Sequence, residues 1–150
     1  MNTIEKVNSL LRHIHHVQEN CVYLGLKLIE LGEEEFGKTL IANGQIHDNS
    51  KWKGVEWDHL ESKDPLLKEA ILQHSRTNSH HPEYWGGIHI MPSIYIAEMV
   101  CDWKARSTEF GTDVRVWITA RATERFGFTM GDRVGLVIEK YIDLLLDKEF

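Results

Sequence analysis

Between residues 3 and 31 the apolar positions Ile4, Val7, Leu10, Leu11, Ile14, Val17, Cys21, Leu24, Leu28 and Leu31 recur in steps of three and four. At helical pitch such steps fall on one face, so the segment predicts a long amphipathic helix. Gly32 follows the last apolar position, where helices often end or kink. Three glutamates, Glu33 to Glu35, then suit the positive end of a second helix, which carries Phe36, Leu40, Ile41 and Ile46. Asn43-Gly44 is a break signal and puts His47-Asp48 at the end of this element.

The stretch from Lys51 to Lys63 is polar and holds Trp52, Trp57 and His59; it reads as loop plus a short helical turn. Asp64-Pro65 predicts an N-cap with proline at the first helical position. The helix it opens carries Leu66, Leu67, Ala70, Ile71 and His74. A loop rich in His, Pro, Gly and aromatics follows from Asn78 to His89. Pro92-Ser93 starts a helix running to about Ser107, and residues 113–126 form another that stops before Gly127. Thr129-x-x-Asp132 resembles a capping box for a last helix whose Val134, Val137, Ile138, Tyr141, Leu144 and Leu145 repeat helically. With five to six or more helices and no strand pattern or internal repeat, the expected fold is all-α: one compact helical bundle over residues 1–150.

Composition narrows the class of partner. A length of 150 residues fits one core. With 17 basic against 23 acidic residues, the net charge of −6 argues against a long nucleic acid as partner. No apolar stretch approaches the ~20 residues that span a bilayer, and no signal peptide is evident at the N-terminus. Cys21 and Cys101 make no disulfide framework and read as buried small apolar residues, so a reduced, cytoplasmic protein is expected. The stripe of the first helix suits either a core or a homo-oligomer interface.

The nine histidines change the picture most, because none lies in the last sixty residues. His13 borders the first apolar stripe, His47-Asp48 closes the second element, and His74 extends the stripe of its helix. Asp102 stands between Cys101 and Trp103 in an apolar helix. Four helices thus each aim an imidazole or carboxylate inward. A buried carboxylate costs several kcal/mol unless paired, and a divalent cation with mixed nitrogen and oxygen ligands is the simplest shared partner. His16 rivals His13 for the first position, and His15 faces solvent.

The order His13, His47-Asp48, Asp102 resembles the H…HD…D order of the HD-domain superfamily of helical metal-dependent phosphohydrolases. The resemblance implies that these four residues hold a metal. His74 and the pair His80-His81 occupy the interval where binuclear branches carry further ligands, with one of the pair binding. The segments HIHHV (13–17), HDNSK (47–51), NSHHPEYW (78–85) and EMVCDWKA (98–105) look like an uncharacterised family of small HD-like bacterial and viral proteins, over residues 12 to 127. No HD-GYP motif and no cyclic-nucleotide phosphodiesterase segment is present.

The expected function is hydrolysis of a small phosphate ester, a nucleotide first, by metal-activated hydroxide. One or two ions are expected: Mn, Fe, Co or Zn, with Mg also open. Asp48 would bridge two ions, Lys51 would meet the substrate phosphate, Glu83 would serve as acid or base, and Arg121 with Arg125 would clamp an anion. Two rivals stand beside this: a non-enzymatic metal- or nucleotide-binding module, and an HD-type di-iron oxygenase.

Overall fold

The structure is a computed structural model that describes residues 2–60, 63 and 65–147. Helix α1 (Thr3–Glu30) opens on a reciprocal cap. The Asn2 side chain accepts the Glu5 N–H at 2.9 Å, and the Glu5 carboxylate accepts the Asn2 N–H at 3.0 Å. It closes at Gly32, whose φ of +91° lets its N–H reach Ile29 O at 3.0 Å while Glu33 N–H reaches Leu28 O at 2.9 Å. This crossed pair of bonds satisfies two of the last carbonyls and turns the chain back on itself.

Helix α2 (Glu34–Gln45) then runs antiparallel along α1. The two backbones touch: a Cβ on Gly37 would strike the Gly25 carbonyl, and one on Gly44 would lie 2.6 Å from Cys21 Cβ. Gly44 is therefore a contact residue inside α2 and not the break expected of Asn43-Gly44. Its missing side chain serves packing, and the helix continues one residue further.

After a 3-10 turn (Asn49–Trp52) come α3 (Gly54–Asp58), α4 (Leu67–Thr77) and the short α5 (Pro82–Trp85). The expected N-cap at Asp64 lies outside the described residues, and Pro65 sits in a turn ahead of α4 instead of at its first position. Helix α6 (Ser93–Phe110) is the spine, with Ile96, Ala97, Met99, Val100, Cys101, Trp103 and Ala105 all buried. It packs on α1, α2 and a C-terminal helix, α9 (Arg133–Leu146). A buried hydrogen bond from Asn20 Nδ2 to Cys101 O, 3.0 Å, ties α1 to this spine.

Residues 114–126 form one helical run, but α7 (Val114–Trp117) and α8 (Thr123–Phe126) are joined by a π turn at Ile118–Ala122. The capping box at Thr129 is corrected: Asp132 is itself the N-cap of α9, accepting Gly135 N–H at 2.9 Å and also Thr129 N–H at 2.9 Å. Each amide takes its own carboxylate oxygen, so Asp132 caps the helix from its own position and the helix starts three residues later. Among the described residues no strand occurs, and the all-α bundle stands. No described helix is long and apolar enough to cross a membrane. The buried stripe of α1 is core, packed on α2 and α6.

Two outcomes test this packing. Gly37→Ala gains about 1 kcal/mol of helix propensity, but its methyl must displace the Gly25 backbone, so a net loss of roughly 1–3 kcal/mol is expected by urea denaturation. Tyr141 stacks on Phe36 with ring centroids 6.0 Å apart, and burial, with help from Glu33, pushes its hydroxyl up from 10.0 to about 12. The unfolded phenol ionises first, so stability is fully present below pH 10 and is lost as pH rises towards 12. Tyr141→Phe should flatten that alkaline limb in denaturation curves measured across the window.

Candidate metal centre

Five pieces of chain deliver the centre. His13 comes from the middle of α1, His47 and Asp48 from the turn after α2, and His74 from α4. His80 and His81 come from the turn before α5, and Asp102 from α6. Asp48 is the hub: Oδ2 lies 3.4 Å from His13 Nε2, and Oδ1 lies 3.0 Å from His74 Nε2, 3.2 Å from His80 Nε2 and 3.4 Å from His47 Nε2. Asp102 Oδ1 is 3.0 Å from His13 Nε2, and its Oδ2 lies 3.8 and 3.7 Å from His47 and His80 Nε2. Asp48 is also the single non-glycine among the described residues with positive φ, at 57°. A left-handed aspartate costs backbone energy and points to a site that over-determines it.

These atoms converge without directed hydrogen bonds. Nε2 of His13, His47, His80 and His81, both Asp48 oxygens and Asp102 Oδ1 are buried, and none makes a properly directed hydrogen bond. Buried polar atoms normally find partners, and seven orphans aimed at one point fit a shared cation. Two groups overlap at Asp48: Asp48, His74, His80 and His81, and His13, His47 and Asp48. In each, the donor atoms lie within 4.8 Å of one another, as they do in a third group of His47, His80 and Asp102. These buried groups can hold a metal ion.

A second layer of carboxylates, which the sequence reading missed, sets the imidazoles. Glu98 Oε2 lies 2.8 Å from His47 Nδ1 and 3.0 Å from His80 Nδ1. Glu109 Oε2 is 2.7 Å from His13 Nδ1, and Glu56 Oε1 is 2.5 Å from His74 Nδ1. A carboxylate that accepts Nδ1–H fixes the ring so that Nε2 faces the cluster, the arrangement usual for metal-bound histidine. The local chain holds these partners still. Ser50 donates to Glu56 at 3.0 Å, Asn78 donates to Ser50 Oγ and to His74 O at 3.0 Å each, and Trp85 Nε1 donates to Ser79 O at 2.8 Å beside His80. Glu98 lies one helical turn before Asp102 and Glu109 two turns after it. That single acidic face of α6 is the one signal by which two of the three could have been found.

The electrostatics follow from this layering. Burial alone would depress His13, but Asp102, Asp48 and Glu109 around it hold it up at about 9. Burial would raise the Asp48 and Asp102 carboxyls, yet the surrounding imidazoles, and Lys51 beside Asp48, hold both well below the usual carboxylate range. His81 goes the other way: burial, then the charge of neighbouring His80, pushes it down to about 3. It therefore stays a neutral donor in the physiological range.

His13 thus takes the first position over His16, which stands outside the cluster, while His15 is exposed and paired with Glu19 at 2.9 Å. Both His80 and His81 enter the centre. Lys51 Nζ sits 2.9 Å from Asp48 Oδ2. A cavity of about 340 Å³ opens on the cluster past Lys51, His74, His81 and Asp102. Arg125 lines it, and so does Arg106, which the sequence reading did not single out. Two expectations are corrected. Glu83 is exposed and outside this cavity, because buried Pro82 anchors α5 and turns the next residue outward. Arg121 is also exposed and outside it, since the π turn breaks the four-residue register it would share with Arg125.

Glu98 gives the direct test of the second layer. Glu98→Gln should keep the fold but weaken divalent-metal affinity about 10- to 100-fold, as outer carboxylates do elsewhere. Competition titration against a chromogenic chelator measures it, and unchanged affinity would remove Glu98 from the centre.

Residues 58–143 match DUF5662, a family of unknown function. That span carries His74, His80, His81 and Asp102 together with Glu98 and Glu109, while His13, His47 and Asp48 precede it. No curated protein and no solved structure matches the chain. With more than half of its length matched, the chain belongs to the DUF5662 family.

Proposed function

We propose that the protein is a metal-dependent phosphohydrolase of HD-like type acting on a small phosphate ester. One observation carries the reading: the orphaned His/Asp donors open onto a cavity bordered by three cationic side chains, Lys51, Arg106 and Arg125. A metal held purely for structure is enclosed by its ligands. Here the ligand cluster adjoins open space with the charge that a phosphate requires. The order His13, His47-Asp48, Asp102 on one centre supports the HD-like part of the reading.

Asp48 is the member common to the two overlapping donor groups, which supports two ions with this carboxylate between them. His13, His47 and Asp102 would complete one side, and His74, His80 and His81 the other. The donor chemistry favours Mn, Fe, Co or Zn over Mg, which prefers oxygen ligands. When bound, such ions acidify water and neutralise charge on phosphoryl oxygens. The chain's own groups do the rest. Lys51 and the arginines hold the phosphate, and Glu56, Glu98 and Glu109 fix the imidazoles through Nδ1. Trp103 and Phe126, stacked with ring centroids 5.9 Å apart, line the cavity and suit a planar group such as a nucleobase. The cationic border would serve a non-enzymatic metal- or nucleotide-binding module equally, so turnover separates that reading from hydrolysis, and a charge-transfer band in aerobically purified protein would mark a di-iron oxygenase.

The test is elemental analysis of protein purified without chelator or nickel resin, wild type beside Asp48→Ala, followed by phosphate release from nucleotides and simple esters. One to two equivalents of metal are expected in the wild type, falling below half an equivalent in the variant with at least a hundredfold loss of turnover. Saturating metal at about a thousandfold its dissociation constant should stabilise the wild type by about 4 kcal/mol in thermal unfolding and leave the variant nearly unmoved. Full metal and full activity in Asp48→Ala would exclude the proposal.

A further inference from the structure

The space beside the cluster is divided. A second cavity, about 320 Å³, adjoins the first of about 340 Å³, and Lys51, His74, His81, Arg106 and Arg125 line both. These five form the border, so positive charge and the ligand imidazoles lie between two chambers. The chambers differ in character. The first is walled by rings, Trp103, Phe110, Trp117 and Phe126, and the second by aliphatic Leu60, Leu67, Ala70 and Ile71. Arg125 lies over the Phe126 ring at 4.9 Å, and Arg106 holds Glu109 through one nitrogen at 3.3 Å. Each guanidinium keeps further N–H groups for a ligand. Glu56, the one acid in the second chamber, is directed at His74 and Ser50.

A phosphate held at the border with one substituent would fill one chamber and leave the other wet. From this shape we propose that the substrate is a phosphodiester with two unlike arms. Its phosphate lies between Lys51, Arg106 and Arg125, a planar ring occupies the aromatic chamber, and a compact aliphatic group occupies the chamber of Leu60, Leu67, Ala70 and Ile71. The inference rests on the phosphohydrolase reading and sharpens it from phosphate esters in general to diesters. Water adds its oxygen to phosphorus and the P–O bond to one arm breaks. One water proton goes to the departing oxyanion, giving an alcohol or a phenol according to the arm that leaves, and the other stays on the phosphomonoester product.

The probes are phenyl butyl phosphate, a diester, and phenyl phosphate, a monoester. Binding is measured by calorimetry on chelator-treated protein, and turnover by phosphorus NMR on metal-loaded protein. Each CH₂ buried in the aliphatic chamber adds roughly fourfold in affinity, so the diester should bind at least tenfold tighter, although the monoester carries more charge. Ile71→Trp fills the second chamber from a side chain that is 53% exposed, which leaves the core intact; it should erase the diester's advantage. Arg106→Gln should weaken both ligands at least threefold.

The loaded wild type should convert the diester to a monoester and an alcohol or phenol. Equal or tighter binding and faster turnover of phenyl phosphate would overturn the two-armed substrate while leaving phosphohydrolysis in place. Tighter diester binding with no turnover of either probe would overturn the hydrolytic reading, and with it the diester as substrate.

Discussion

Everything in this molecule is arranged around a carboxylate that has been taken out of water. Asp48 is 1% exposed, stands in a left-handed conformation and has four imidazoles within 3.4 Å of its two oxygens. A lone carboxylate in such a place costs several kcal/mol in lost hydration. The fold tolerates it only because α1, the turn after α2, α4 and the turn before α5 each bring an imidazole to the same point. The glycine contacts between α1 and α2 belong to this arrangement, since they set how close the turn carrying His47-Asp48 comes to His13.

The second layer explains why the imidazoles stay aimed. A histidine ring can present either nitrogen, and a hydrogen bond on one decides the use of the other. Glu56, Glu98 and Glu109 each take an Nδ1, leaving Nε2 towards Asp48 and Asp102. Two of these acids lie on α6, the most buried helix, so the orientation of the site is built into the core. Ser50 and Asn78 extend the same network to the 3-10 turn and to the end of α4.

Charge divides the site into two regions. Inside, acids and imidazoles balance one another in a nearly dry volume. Outside, Lys51, Arg106 and Arg125 face open space between a ring-lined and an aliphatic chamber. A protein of net charge −6 that gathers three cations at one mouth concentrates its attraction for anions there.

Periodicity by itself determined the helices: the stripe of α1, the Gly32 stop and the α9 repeat all follow from local backbone preference, which acts within a few residues. It also marked His13, His47, Asp48, His74 and Asp102, because polar residues stand out where an apolar stripe should run; His80 and His81, in a loop without periodicity, were marked only by the family resemblance. Local signals misled where tertiary contact outweighed them. Gly44 packs against Cys21 where a break was expected, Asp132 caps α9 in place of Thr129, and the π turn separates Arg121 from Arg125. Only the tertiary structure decided that His13 and not His16 faces the centre, that Glu56, Glu98 and Glu109 stand behind the ligands, and that Arg106 joins the mouth while Glu83 does not. Those outcomes depend on which distant segments meet, and a glutamate or arginine on a helix looks the same in sequence whether it meets water or an imidazole.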